Sequence, residues 1–195
     1  MSTRLDVLCC GAFVTLLLAG CTTSEVGEAS LASTDAASPS LPAPPEEELP
    51  LAGVDPCSLF TEAQLDELKV NSEPRATQDG RDGPTCSLDV DLTAPYYSYY
   101  VEAITTADMQ DWVDGERRNT SMTTLSARVA GIPALVHYAK GSSPSDCEVL
   151  VGVADGQTLR TQLYPTDPSE FSQEQMCGLA TEAATLAVQT LKATR

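Results

Sequence analysis

Four cysteines, Cys57, Cys86, Cys147 and Cys177, are spaced through the C-terminal part of a 195-residue chain, and cross-links among them would restrict its fold more than any other feature. Their meaning depends on the compartment, so the N-terminal segment is decisive. Met1 to Asp6 carries one basic side chain, Arg4, and Val7 to Leu18 is almost wholly apolar before Ala19-Gly20-Cys21. A positive start, a short apolar run and small residues ahead of a cut describe a secretory signal. The run is about a dozen residues long, whereas a membrane-spanning helix needs roughly 20. Asp6 departs from the pattern by weakening the positive start.

Leu18-Ala19-Gly20-Cys21 resembles the bacterial lipobox, in which diacylglycerol is attached to the cysteine sulfur and the peptide is cut just before it. Residues 1–20 then form the signal peptide, and Cys21 becomes the lipidated N-terminus. The competing reading is an ordinary secreted protein with a chance cysteine. Each buried methylene contributes about 0.8 kcal/mol, and two acyl chains suffice for stable anchoring. Cys9 and Cys10 leave with the signal, so four of the seven cysteines remain unlipidated in the mature chain. An even number in an exported chain implies a disulfide framework. Cys57 and Cys177 each lie near the start of a terminal helix, and Cys86 and Cys147 each near the start of a strand. The expected pairs are therefore Cys57–Cys177 and Cys86–Cys147, with the sequential pairing as the alternative. Neither CxxC nor HxxxH spacing occurs and His137 is the only histidine, so the usual zinc constellations cannot be assembled. No metal or cofactor is expected.

The formal charge is −17, and loss of Arg4 and Asp6 with the signal leaves it unchanged. Nucleic-acid binding depends on phosphate neutralisation by Lys and Arg, so this balance argues against it. It also argues against a domain lying flat on an anionic membrane. The simplest use of such acidity is solubility of an exported domain.

Residues 21–52 hold the lipidated cysteine and an acidic stretch rich in Pro, Ser and Ala, without an aromatic residue. Such a segment buries too little apolar surface to offset its ordering entropy and is expected to be a disordered tether. As a flexible coil, about 30 residues reach roughly 30 Å. Residues 53–195 are expected to form one domain of ordinary size.

Two helix starts share one design. Thr61 with Gln64 and Ser172 with Gln175 each make a capping box, and Phe60 with Leu65 and Phe171 with Met176 each make a hydrophobic staple. These predict helices over about 62–69 and 173–192, the second with Leu179, Ala183, Leu186 and Thr190 on one face. A third helix starts near Asp108 and carries Met109, Trp112 and Val113. Alternation marks strands at 85–92, 96–105, around Leu125–Val129, at 134–139, 147–153 and 158–164. Asp155-Gly156 is a two-residue hairpin turn. The expected fold is α+β: a mostly antiparallel sheet of five to six strands, with N- and C-terminal helices packed on it.

With these features assembled, the chain resembles an actinobacterial lipoprotein family catalogued as domain of unknown function 3558. The residues that carry the likeness are Asp55-Pro56-Cys57-Ser58-Leu59-Phe60-Thr61 opening a helix, a cysteine in the first strand, Gly131-Ile132-Pro133-Ala134, Cys147 heading an apolar strand, and Cys177 in an Ala-rich final helix. Family members often carry an aromatic residue two positions after the second cysteine, where this chain has Leu88. The resemblance implies an exported cell-surface lipoprotein on the outer face of the cell membrane, and implies no activity.

Candidate chemistry is sparse. Alternation sends Tyr97 and Tyr99 to one face and Tyr96 and Tyr100 to the other. One pair suits the core. The other, taken as Tyr96 and Tyr100, can stack on a sugar or an apolar ligand, although ordinary strand packing explains it as well. His137 can serve as a general base, but no GxSxG or similar signature accompanies it. Asp89 and Asp91 share a strand face and can do acid–base work or bind a cation, while a solvated face is the blander reading. Glu116-Arg117-Arg118 reads as a surface helix end, with an anion site as the alternative. The expected function is a lipid-anchored, non-enzymatic module that binds an envelope ligand or protein partner. The alternative is an envelope hydrolase using His137.

Overall fold

The computed structural model describes residues 47–77, 82–141 and 143–195. The expected signal peptide, the lipobox cysteine Cys21 and the expected linker as far as residue 46 lie outside the described residues. The described chain contains the strands β1 (Arg75–Thr77), β2 (Thr85–Val90), β3 (Tyr97–Ile104), β4 (Met122–Val129), β5 (Ile132–Ala139), β6 (Cys147–Ala154) and β7 (Gln157–Pro165). Its helices are α1 (Glu62–Glu67), α2 (Gln110–Val113) and α3 (Gln173–Ala193). All strand pairs are antiparallel, and their order is β1-β2-β3-β7-β6-β5-β4. The fold is α+β, with a seven-stranded sheet in place of the five to six strands expected. β1 is the addition: three residues are too few to display an alternating pattern.

One face of the sheet is apolar because every second residue of its central strands is. Cys86, Leu88, Tyr99, Val101, Val149, Val151, Leu159 and Leu163 are all buried there. α3 packs on this face over β6 and β7. It begins at a complete capping box, Ser172 with Gln175, which satisfies two orphan backbone donors. Its buried residues are Met176, Ala180, Ala183, Ala184, Leu186, Ala187, Val188 and Leu191. The expected stripe was centred too near Leu179 and Thr190, which are half-buried. Alanine dominates because the helix lies close to the strands, close enough for Thr161 Oγ1 to donate to the Ala180 carbonyl at 2.9 Å.

The N-terminal helix is smaller than expected. α1 has its predicted capping box, Thr61 with Gln64, but spans six residues and buries none of them. Leu68 and Val70, just after it, reach the core. Lys69 there adopts a positive φ of 63°, which ends the helix before the predicted residue 69. Leu49 and Leu51 are also buried in the main core, and Leu49 N donates to Val153 O at 2.7 Å. Asp155-Gly156 forms the β6–β7 turn, with Gly156 at φ 64°, where glycine carries no Cβ penalty.

The disulfides are Cys57–Cys86 and Cys147–Cys177, not the expected Cys57–Cys177 and Cys86–Cys147. Strand order explains the correction. Cys86 lies on β2 and Cys147 on β6, with β3 and β7 between them. Three strand spacings are about 14 Å, whereas bridged Cα atoms lie within about 7 Å. Each cysteine instead bonds to the segment packed directly over its own strand: the helical turn at Pro56–Leu59 over β2, and the start of α3 over β6.

The opposite face is half covered. Ile104, Leu135 and Leu150 point to that side and meet Ala107, Met109, Trp112 and Val113 from the β3–β4 connection. This connection, α2 included, makes a lid. Gly152 lies beneath it, and a Cβ there would come 2.8 Å from Met109 Cε. The helix expected near Asp108 is therefore present as the four-residue α2.

Candidate functional site

The part of this second face that the lid leaves open lies at the β2–β3 turn end of the sheet. Its residues follow from register. Ser98 on β3 stands opposite Asp89 on β2 and opposite Tyr164 on β7. Extending the β6–β7 register by one residue puts Asp146 opposite Tyr164. Arg75 on β1 is opposite Ser87, one diagonal step from Asp89. Thr166 N donates to Tyr96 O, continuing the β3–β7 ladder, so alternation places Tyr96, Ser98 and Tyr100 on one face. Tyr96 and Tyr100 are thus the two diagonal neighbours of Tyr164, within reach of long side chains.

Exposure separates the tyrosines. Tyr97 and Tyr99 are the core pair, meeting edge-to-face with ring centroids 5.4 Å apart, and Tyr97 also meets Phe171. Burial raises both phenols above their ordinary pKa. Tyr96 is 42% and Tyr164 55% exposed, while Tyr100 is half-buried. Leu92, in the adjacent turn, is 73% exposed. The sequence pattern singled out Tyr96 and Tyr100 and missed Tyr164. Its side was readable from alternation with Arg160 and Gln162, but its neighbours were not.

Carboxylates flank the tyrosines on both sides. Burial pushes Asp89 upward in pKa, but hydrogen bonds from Ser98 and Ser87 and contact with the Arg75 guanidinium outweigh it and hold the carboxyl below its ordinary value. The Ser98, Ser87 and Arg75 contacts measure 2.7, 2.7 and 2.8 Å. On the other side Asp146 accepts from Gln162 Nε2 at 2.6 Å and Ser145 Oγ at 2.8 Å. Asp91 takes a different hydrogen-bond partner from those of Asp89. It lies beyond the end of β2 and accepts from Ser72 Oγ at 2.7 Å. Among the described residues no three His, Cys, Asp or Glu side chains converge as metal ligands.

Further along the same face, next to the residues that the lid covers, four charged or titratable side chains are buried together. Glu102 on β3 faces Arg160 on β7, with Arg160 Nη2 2.5 Å from Glu102 Oε2. The other Glu102 oxygen accepts from the backbone N–H groups of Asp82 and Gly83. Arg160 Nη1 lies 3.9 Å from Glu148 Oε2, and Glu148 Oε1 lies 2.5 Å from His137 Nδ1. Arg117 ties the lid to the Glu102 end of this row. Its guanidinium contacts the Asp82 carboxylate at 2.5 Å and sits 5.0 Å from the Trp112 ring centre, so it is committed to holding the lid.

His137 therefore has an orienting carboxylate, as a general base requires. The residue is only 3% exposed, however, and Nε2 is buried without a hydrogen-bond partner among the described residues. The cluster was not legible as a cluster, because its members come from four strands, β3, β5, β6 and β7, spread over some sixty residues of sequence.

A model of the family described as "Protein of unknown function (DUF3558)" matches residues 16–190. No curated protein and no solved structure matches the chain. The matched span covers the whole sheet and nearly all of α3, and the chain belongs to the DUF3558 family.

Proposed function

We propose that this protein is a lipid-anchored extracytoplasmic binding module, held at the cell membrane by acyl chains on Cys21 and working by capture and not by turnover. The observation that carries the reading is the position of the open tyrosine surface relative to the tether. The chain enters the domain at Leu49 and Leu51, which bond to Val153 O and to Gln157 Oε1 beside the β6–β7 turn. Tyr164 lies seven residues further along β7 than Gln157, about 24 Å away at the rise of an antiparallel strand. A domain tethered at one end and furnished with exposed aromatic side chains at the other is built to contact what lies beyond the membrane surface. The partner is an envelope ligand or protein.

Two measurements test this. A Cys21→Ala variant is expected to lose lipid and to appear in the medium or remain as the uncut precursor. If it is processed and stays membrane-bound, the anchor assignment fails. In whatever cellular assay shows a phenotype for loss of the protein, a Tyr96→Ala/Tyr164→Ala pair is expected to behave as the null while folding normally.

The second reading, an envelope hydrolase, rests on the His137–Glu148 contact. It requires an opening of the fold over His137 so that Nε2 can reach a substrate. A folded His137→Ala protein that loses all function while the tyrosine pair is silent establishes that reading and removes the first.

A further inference from the structure

We infer that the ligand of the tyrosine surface is an uncharged glycan, bound with its sugar rings on Tyr96 and Tyr164 and its hydroxyl groups directed at Asp89 and Asp146. This rests on the binding-module reading and narrows it to one class of partner. Two exposed tyrosine rings present apolar faces with polar tips. Asp89 and Asp146 stand on either side of Tyr164, one strand beyond Ser98 on the left and directly opposite on the right. Ionised carboxylates accept hydrogen bonds and donate none. A complementary ligand must therefore combine flat C–H surfaces with donors around their edges. A pyranose ring has that constitution.

Charge decides against the two nearest alternatives. A polymer bearing phosphate or carboxylate meets a chain of formal charge −17 and is repelled. A cationic peptide would gain from the overall field and from the aromatic faces. At the site itself, however, Asp89 already holds Arg75 at 2.8 Å together with the hydroxyls of Ser87 and Ser98. Its charge is compensated locally, so it contributes hydrogen-bond geometry more than field. The Asp89–Ser98–Tyr164–Asp146 row crosses four adjacent strands, β2, β3, β7 and β6, a span of about 14 Å. That length suits several consecutive sugar units of a chain lying across the strands.

The test uses the full-length protein and protein-free, delipidated cell-wall glycan from the producing cell. The protein is expected to co-sediment with the glycan. Neutral oligosaccharide released from the same material should displace it, and 0.5 M salt should not. Tyr96→Ala/Tyr164→Ala should weaken the interaction about tenfold or more, from the loss of two ring contacts. An unchanged thermal melting temperature shows that the fold is kept, since both side chains are exposed. Displacement by salt or by polylysine, or full binding by the tyrosine pair, overturns the proposal in favour of electrostatic capture. Failure to sediment also overturns it. If the tyrosine pair is nonetheless null in cells, the binding-module reading stands and only the glycan assignment falls.

Discussion

Reduction of both disulfides is expected to lower the unfolding free energy by about 7 kcal/mol, the largest single effect available in this domain. The two bonds close loops of sequence separation 29 and 30. In the chain-entropy treatment each such loop contributes about 3.6 kcal/mol by restricting the unfolded chain. Domains of this size are stable by roughly 5–15 kcal/mol in total, so the reduced protein sits near the edge of folding. Denaturant titration with and without reductant measures the difference, and mapping of unreduced peptides should recover Cys57 with Cys86 and Cys147 with Cys177. Peptides joining Cys86 to Cys147, or a denaturation midpoint indifferent to reductant, would contradict the fold. Cys147→Ala/Cys177→Ala alone should give about half the effect, about 3.6 kcal/mol, by releasing the start of α3 from β6.

Arg160→Ala should destabilise the domain by about 3–5 kcal/mol, because it leaves an uncompensated buried charge. Among the described residues Arg160 is the cation that pairs with Glu102, which is fully buried, and it also approaches Glu148. The urea midpoint should fall with the slope of the transition unchanged. Removing both charges at once is a different experiment. Arg160→Met/Glu102→Leu replaces a costly ion pair with apolar volume, and such exchanges are often neutral or stabilising. The double variant should therefore recover much of the stability that the single one loses. By contrast, Arg75→Ala removes an ion pair whose cation is largely exposed, and should cost no more than about 1 kcal/mol. If Arg160→Ala and Arg75→Ala cost the same, the row beside the lid is not desolvated as described.

The contrast between these two arginines marks the limit of what the sequence made legible. Alternation within a strand is local, so β2, β3, β6 and β7 could be read directly, and so could the capping boxes of α1 and α3, each fixed within four residues. Alternation also separated Tyr97 and Tyr99 from Tyr96 and Tyr100. It could not say that Tyr164 joins the second pair, because that depends on β7 lying beside β3. The same missing information misdirected the cysteine pairing: Cys86 and Cys147 both begin strands, but two other strands separate them. Polar residues such as Glu102, His137, Glu148 and Arg160 ordinarily mark a wet face. They are buried here in rows beside Leu135 and Leu150, over which the β3–β4 connection folds back as a lid, and nothing in the strand pattern announces a cover built from a connection.

The lid also fixes what light can report about this molecule. Trp112 is the only tryptophan, and it lies on the lid itself, buried in the small cluster by which the lid packs on the sheet and capped by Arg117. Its emission is therefore a probe of one side of the sheet. It should be blind to α3, which packs on the other face, and sensitive to any opening over Leu135 and Leu150. A titration that shifts this emission while far-ultraviolet circular dichroism stays constant would catch the lid lifting from a sheet that is otherwise intact.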